Sequence, residues 1–446
     1  MFSRITPYIY TRTQRILLSL LILTGLSSSF IPGTAFADDP FWEAITGGKV
    51  HFSVRYRFEH VNDDILFAPP TTKLKDANAS TIRTFLGYET GKFYDFSATL
   101  DFENVTDVFS GDFFDGSNRK TRYATVVDPS GTEVDQSFIS YTGLPDTQFK
   151  LGRQYITYRD APFHRFIGTI LWRQNWQTFD AFTATNTSIK DTQISYAYVW
   201  NVNRIFGEDA ISPLDNFDSN SHFINIQNTS LPFGKLEGYA YLLDFDNAAA
   251  FSTQTYGVRF SGKHPLSEKI AGLYTAEYAH QSDYRNNPGN ISADYFLGEA
   301  GLQFKPALLI DSFILKFSYE LLGGDGGVDR FVTILGTNHA FQGWADRFLV
   351  TPGDGIEDYI ITAVANIKGA NFVAAWHNLN SDNMNYDYGN ELDLMLSRTF
   401  KEKYTLGIKY SIYDAAGDAT SIARNGANNG VNRDVDKFWV WAQFKY

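Results

Sequence analysis

The feature that most constrains the fold is a period-two alternation of apolar and polar residues, which recurs along almost the whole chain. In the last segment every even position from Phe438 to Tyr446 is apolar, whereas Lys437, Gln443 and Lys445 occupy odd positions. Alternation of this kind is typical of a strand with one apolar and one polar face. It predicts eighteen strands, at 50–60, 81–90, 94–105, 134–142, 147–156, 177–184, 191–203, 221–229, 235–246, 252–262, 269–281, 292–304, 313–322, 356–368, 370–380, 388–400, 403–413 and 436–446. The chain is therefore predicted to be all-β.

The connections between these strands alternate strictly between long and short. The long ones include 61–80, 105–133, 157–176, 323–355 and 414–435, and the short ones include 91–92, 143–146 and 263–266. Transmembrane barrels sort their loops in this way, with short periplasmic turns and long outer loops, whereas a soluble sandwich has no reason to. Strands of this length cross a bilayer when tilted, and lipid forces the sheet to close on itself. We therefore predict one transmembrane antiparallel β-barrel of about 18 strands.

Composition agrees with a membrane barrel. The 38 Phe and 26 Tyr residues suit the aromatic girdles of such barrels. The mean hydropathy of −0.25 excludes a bundle of transmembrane helices. The absence of cysteine excludes disulfides and thiolate metal sites.

The N-terminus carries the pattern of a secretory signal peptide. Arg4, Arg12 and Arg15 precede the apolar run 16–26, and the small-x-small site Ala35-Phe36-Ala37 follows it. The alternative, a single membrane anchor, needs a longer apolar run. We predict a signal peptide at 1–37 and a barrel at 38–446, located in the outer membrane of a Gram-negative-type bacterium. The expected partners are outer-membrane lipid and, through the aromatic C-terminal strand 436–446, the barrel-assembly machinery, and the expected state is a monomer.

Charge argues against a nucleic-acid partner. Without the three signal-peptide arginines, 35 basic side chains remain against 50 acidic ones, a net charge of −15. A protein that binds nucleic acid needs a basic face.

The alternation also assigns charged residues to the lumen, and strand direction gives each an approximate height. A basic pore waist is predicted at mid-membrane from Arg55, Arg57, Arg259 and Lys409, against Glu299. An acidic outer vestibule is predicted above it from Glu59, Asp101, Glu103, Glu277, Glu320, Glu391 and Asp393, against Arg83 and Lys437. Fixed charges at a narrow waist select ions. The alternative is that these charges pair across neighbouring strands and fill a polar lumen.

Arg55 and Arg57 are the central residues of the predicted waist. They are two positions apart on one strand, so they share the inward face at a spacing of about 6.5–7 Å. Replacing both by Glu is expected to leave the barrel folded and to shift ion selectivity toward cations.

The longest connection, 323–355, is rich in aromatic residues, and two interpretations of it stay open. It folds inward as a constriction or plug, with His339, Trp344 and Asp346 as candidate residues, or it packs as a ridge on the other outer loops. His339 and Asp346 resemble part of a catalytic set, but no serine nucleophile lies at a defined spacing, and an ordinary hydrogen bond explains them. We predict no catalytic residue, no metal site and no cofactor.

Several stretches resemble the alginate export family of outer-membrane barrels. They are Leu151-Gly152-Arg153-Gln154, Trp172-Arg173-Gln174-Asn175, Thr178-Phe179-Asp180-Ala181, the segment 319–326 (YELLGGDG) and the segment 338–348 (NHAFQGWADRF). The resemblance implies an 18-stranded passive channel and an anionic polysaccharide such as alginate as its substrate. The chain departs from the arginine-rich lumen of that family, because its inward positions carry acids at least as often as bases.

These observations favour a channel for passive diffusion or export of small polar or anionic solutes, including saccharides. The alternatives are a barrel hydrolase acting on lipid or envelope polymer, and a closed structural or adhesion barrel. No phosphate-binding loop, metal cluster or nucleophile motif supports the hydrolase.

Overall fold

The computed structural model describes residues 39–64, 66–67, 72–305, 310–327, 329–416 and 431–446, so the predicted signal peptide lies outside it. Its main element is one antiparallel sheet of 18 strands. In chain order these are β1 (Lys49–Asp63), β2 (Ala77–Glu89), β3 (Phe96–Asp112), β4 (Gly131–Tyr141), β5 (Thr147–Gln154), β6 (Thr178–Asn186), β7 (Thr192–Asn203), β8 (Asn216–Asn228), β9 (Lys235–Leu242), β10 (Thr253–Pro265), β11 (Ile270–Asp283), β12 (Ser292–Phe304), β13 (Ser312–Leu322), β14 (Ile356–Ile367), β15 (Ala370–Asn380), β16 (Asp387–Phe400), β17 (Tyr404–Ala415) and β18 (Val435–Lys445).

The sheet closes into a barrel through its first and last strands. β1 pairs with β2 on one side and with β18 on the other, where Val54 lies opposite Phe444 and Asp63 lies opposite Val435. Every other strand pairs with its two neighbours in the chain. Closure leaves no strand edge of the sheet without a partner strand, as a membrane barrel requires. The predicted fold class is confirmed.

Long and short connections emerge at opposite ends of the barrel. The shortest are 368–369 and 401–403, and the longest is 323–355. The predicted alternation holds, because each connection at the long-loop end is longer than the connections before and after it, although 381–386 at that end is shorter than 305–311 at the other. Long loops therefore mark one end of the barrel without every loop there being long.

The two faces of the wall differ as the alternation predicts. Leu392 and Leu394 on β16 are exposed on the outer face, while Glu391 and Asp393 between them are buried on the inner face. The outer face is accordingly apolar, and the inner face is polar and covered by other parts of the chain. The packed core of this protein therefore lies inside the barrel.

The strands β4 and β7 each contain an extra residue that interrupts the pairing. The register shifts at Asp135 of β4, which is skipped between Gln136 and Val134, and at Trp200 of β7, which is skipped opposite Asp180 and Ala181 of β6. A bulge inserts a residue and so reverses the facing of those beyond it, which hides the period of two. The predicted strand 235–246 is shorter in the structure and ends at Leu242.

Among the residues that the structure describes, only short pieces are helical. Helix α1 (Pro40–Thr46) begins at the N-cap Asp39, whose carboxylate accepts from the Phe41 amide at 2.9 Å, and Pro40 occupies its first turn. It contacts the turn after β2, where the Gly91 amide donates to the Ala44 carbonyl at 2.8 Å. Within the described residues no helix is long and apolar enough to cross a membrane.

Candidate constriction inside the barrel

Three long connections pack against the inner wall and against one another: loop A (113–130), loop B (155–177) and loop C (323–355). Ile167 of loop B forms a β-bridge with Leu335 of loop C, and the Gly168 amide donates to the Leu335 carbonyl at 3.0 Å. Asn175 of loop B donates to the Pro129 carbonyl of loop A at 2.9 Å. We take this joined set of loops as the candidate constriction.

Arg55 and Arg57 project inward, and both bind loop B. The Arg55 guanidinium donates to the Gln174 side chain at 2.8 Å and to the Leu171 carbonyl at 3.0 Å. Arg57 pairs with Asp128 of loop A, donates to the Trp172 carbonyl and is 1 % exposed. Backbone carbonyls, the Gln174 amide oxygen and a carboxylate therefore bind every nitrogen of the two guanidinium groups except Arg57 Nε. Both arginines hold loops onto the wall.

Lys409 lies beside the same part of loop B. Its ammonium group sits over the rings of Trp344, Trp172 and Trp439, at 3.7, 4.2 and 5.2 Å from their centroids. A cation held between aromatic faces is stabilised by their quadrupoles, and more so away from water. Of the four predicted waist residues, the structure thus brings Arg55, Arg57 and Lys409 around Leu171–Gln174.

Arg259 belongs to a different cluster. It pairs with Glu277 at 2.7 Å, and Glu277 also binds Arg159 of loop B at 2.6 Å. Glu299, placed at the same height by the sequence, pairs instead with Lys316 at 2.5 Å. The predicted waist is therefore distributed over separate ion-pair clusters, and its role in ion selection stays a prediction.

All seven carboxylates of the predicted vestibule lie on the inner face and are at most 2 % exposed: Glu59, Asp101, Glu103, Glu277, Glu320, Glu391 and Asp393. Four bind arginines: Glu59 binds Arg173 at 3.1 Å, Glu103 binds Arg83 at 2.6 Å, Glu277 binds Arg159 at 2.6 Å and Glu320 lies 2.8 Å from Arg165. Three of these arginines come from loop B. The carboxylates therefore form the surface of the wall on which the loops are seated, and arginines of loop B supply much of the positive charge that pairs with them.

Sequence reasoning missed these loop arginines as partners. Arg159, Arg165 and Arg173 lie in a segment without periodicity, so no pattern assigns them a direction. The available signal was the stretch Trp172-Arg173-Gln174-Asn175, which places an arginine among aromatic and amide residues in this loop. Seven inward carboxylates that outnumber the basic residues beside them on the wall imply cations supplied by the loops, because unpaired buried charges are unstable.

A tight turn of loop C binds the carboxylates of Glu391 and Asp393 on the inner wall. The Ala345 amide donates to Glu391 at 2.7 Å, and the Trp344 amide donates to Asp393 at 3.0 Å. Gly343 permits this approach, because its φ is +87° and a Cβ there would fall on the Glu391 carboxyl group. Backbone N–H groups bonded to carboxylates make strong, charge-assisted contacts.

His339 and Asp346 of loop C meet, as their spacing allowed. His339 Nδ1 lies 2.5 Å from Asp346, whose carboxylate also binds Arg173 at 3.0 Å and Lys437 at 2.8 Å. Although burial alone would raise it, His339, Lys437 and Arg173 hold the pKa of Asp346 well below its usual range. The carboxylate is thus ionised and has three basic neighbours, which is the arrangement of a structural anchor.

The other face of His339 contacts Lys409 and Trp172. Its Nε2 lies 2.7 Å from the Lys409 ammonium, and its ring stacks on Trp172 at 4.8 Å between centroids with 5° between planes. Burial lowers the pKa of the His339 ring well below its usual range, and Lys409 acts in the same direction. His339 therefore joins loop B, loop C and the wall at one point.

Metal binding has no support in the described part of the chain. Among those residues, no group of three or more His, Asp or Glu side chains is placed to hold a metal ion.

The comparisons show a porin-like fold and no family. No protein-family model matches the chain, and no curated protein matches it. Similar solved structures include Acinetobacter baumannii OccAB2 (TM-score 0.64, 14% identity, covering 91% of this chain and 99% of that one) and Pseudomonas aeruginosa OccK9 (OpdG; TM-score 0.63, 11% identity, covering 89% and 99%). Another is Pseudomonas aeruginosa OpdK with vanillate (TM-score 0.62, 10% identity, covering 90% and 99%). Support for the alginate export family is absent from these comparisons, whereas a porin-like 18-stranded barrel is shared across almost the full length.

Proposed function

We propose that the chain is a channel for passive diffusion of small polar or anionic solutes across the outer membrane of a Gram-negative-type bacterium. The observation that carries the proposal is a closed barrel with an apolar outer face whose interior holds charged, inward-packed loops. Such loops narrow a barrel and line the path with fixed charges. The similar structures are outer-membrane porins, and one was solved with vanillate, a small carboxylate.

The pairing of the vestibule charges supports passage of anions. An outer entrance with seven unpaired carboxylates would repel them. Arginines offset four of these carboxylates, and backbone amides of loop C bind Glu391 and Asp393. Among anions, uronates and their polymers are the candidates that the resemblance to the alginate export family adds. Insertion through strand 436–446 by the assembly machinery and a monomeric state belong to the same proposal.

The test is conductance in planar bilayers together with liposome swelling. The panel comprises neutral sugars, uronates, aromatic carboxylates and amino acids, each at matched size and osmolarity. Faster swelling for the anions than for neutral solutes of the same size supports the proposal. A protein that inserts but shows neither conductance nor swelling is a closed barrel, and turnover in lipase or glycosidase assays without conductance favours the hydrolase.

A further inference from the structure

The contact between His339 and Lys409 joins the two largest loops to the wall. His339 is 7 % exposed and contacts both the Trp172 ring of loop B and the Lys409 ammonium on β17. Trp344 of loop C covers the same ammonium from another side. Any change that separates these two side chains therefore acts on loops B and C together.

The hydrogen bond between the two side chains limits their charge. A bond between His339 Nε2 and Lys409 Nζ at 2.7 Å needs a lone pair on one nitrogen and a proton on the other. The pair therefore carries at most one positive charge. A second proton would leave two cations in contact with no hydrogen bond between them, in a site away from water where repulsion is strong.

The carboxylates around the pair already bind other groups. The charged groups that face the pair are Asp346 of loop C, Arg173 of loop B, Glu59 on β1, Glu391 and Asp393 on β16, and Lys437 on β18. Asp346 already binds Arg173 and Lys437, and Glu59 binds Arg173. Glu391 and Asp393 accept the loop C amides.

We propose that the His339–Lys409 pair is a proton-operated latch, which keeps loops B and C seated at neutral pH and releases them into a wider lumen in acid. The proposal rests on the channel function proposed above and adds its regulation. Release frees Trp172 and Trp344 from the ammonium group, so the inward part of both loops leaves the wall. The pH of the transition is set by the pKa of the His339 ring. Burial lowers this pKa below the ordinary histidine value of about 6.5.

The absence of cysteine from the chain makes a direct test of loop release feasible. Thr337→Cys places one thiol in loop C at a position that is 3 % exposed, and Ala345→Cys is a second buried site if the first variant fails to fold. Ile211→Cys, at a position that is 78 % exposed, is the reference. The measured quantity is the ratio of methanethiosulfonate labelling rates at the buried and reference sites, because thiol ionisation affects both alike.

We expect this ratio to rise as the pH falls from 7.5 to 4, by at most about tenfold per pH unit because one proton operates the latch. His339→Gln keeps an acceptor for Lys409 and a donor for Asp346 but does not titrate, so its ratio should stay flat. Lys409→Met removes the repulsion and should also stay flat. His164→Gln, at another buried histidine in loop B, is the matched control and should keep the rise.

Three results overturn the latch: a flat ratio in the parent cysteine protein, an unchanged rise in His339→Gln, or loss of the rise in His164→Gln alone. Bilayer conductance over the same pH range separates the latch from the channel. Conductance at neutral pH without an acid step retains the channel and overturns the gate. No conductance at any pH overturns the channel, while labelling still decides whether the loops are released.

Discussion

Gly343 offers a sharp test of whether loop C is held by its turn on Glu391 and Asp393. An alanine Cβ there would fall on the Glu391 carboxyl group, and the φ of +87° lies in the region that disfavours side chains. Gly343→Ala should therefore push the turn off the wall. The two amide bonds to Glu391 and Asp393 would be lost as the turn moves.

The expected size of the effect follows from these contacts. A hydrogen bond to a charged group contributes about 1.5–3 kcal/mol, so losing both costs about 3–6 kcal/mol. Placing alanine at positive φ adds about 1–3 kcal/mol. Gly369→Ala isolates the second contribution, because its φ is +76° and nothing lies within 4 Å of the added Cβ. The difference between the two variants should thus be the cost of undocking the turn.

The assay is labelling of Thr337→Cys in each background at neutral pH, together with single-channel conductance. A shift of about 3 kcal/mol multiplies the undocked population by about 100-fold. We therefore expect fast labelling and larger conductance for Gly343→Ala, and values near those of the parent for Gly369→Ala. Equal labelling rates and equal conductance in the two variants would refute the seating of loop C on the two carboxylates.

Three further outcomes follow from the same contacts. Arg57→Met should lower the free energy of unfolding by about 3–5 kcal/mol in urea titrations in detergent, because Asp128 loses its buried partner, and adding Asp128→Asn should restore much of it. Phe166→Ala, in the buried aromatic cluster, should cost about 3–5 kcal/mol of the same quantity, against about 0.5 kcal/mol for Phe163→Ala, which is 51 % exposed. The lowered pKa of Asp346 contributes stability that is present above its ordinary pKa of about 3.9 and is lost as the pH falls through the lowered value. The difference in Tm between the parent and Asp346→Asn should therefore be full at pH 7.5, where loops B and C are seated, and vanish in strong acid.

The strands of the wall were predictable because their pattern is local. The alternation around Leu392 and Leu394 indicates which side chains lie on the outer face. All eighteen strands of the barrel overlap the predicted segments. The pattern is hidden where a bulge reverses the alternation, as at Asp135 of β4. Strand parity also placed Arg55 and Arg57 on the inner face correctly, because it depends on neighbours one and two positions away.

The constriction was less predictable because its contacts join distant parts of the chain. Nothing near Arg57 in the sequence indicates Asp128, and nothing near Glu59 indicates Arg173. This also changes the expectation for replacing Arg55 and Arg57 by Glu. The new carboxylate at 57 would face Asp128 and Glu59 in a buried site, so the double variant is expected to disturb the seating of loops A and B as well as any selectivity.

The wall residues on which loops B and C are seated determine when these loops can pack during assembly. These residues include Glu59 on the first strand and Lys437 on the last, so the set is incomplete until those strands meet. Neither loop has its full set of partners while the sheet is open, and Trp172 reaches Trp439 only once β18 is in place. The loops should therefore settle after closure, as a late step that adds no strand. In refolding, the β signal in circular dichroism should appear before the final change in tryptophan fluorescence. An intermediate should therefore form in which the sheet is closed and the loops inside it are not yet packed.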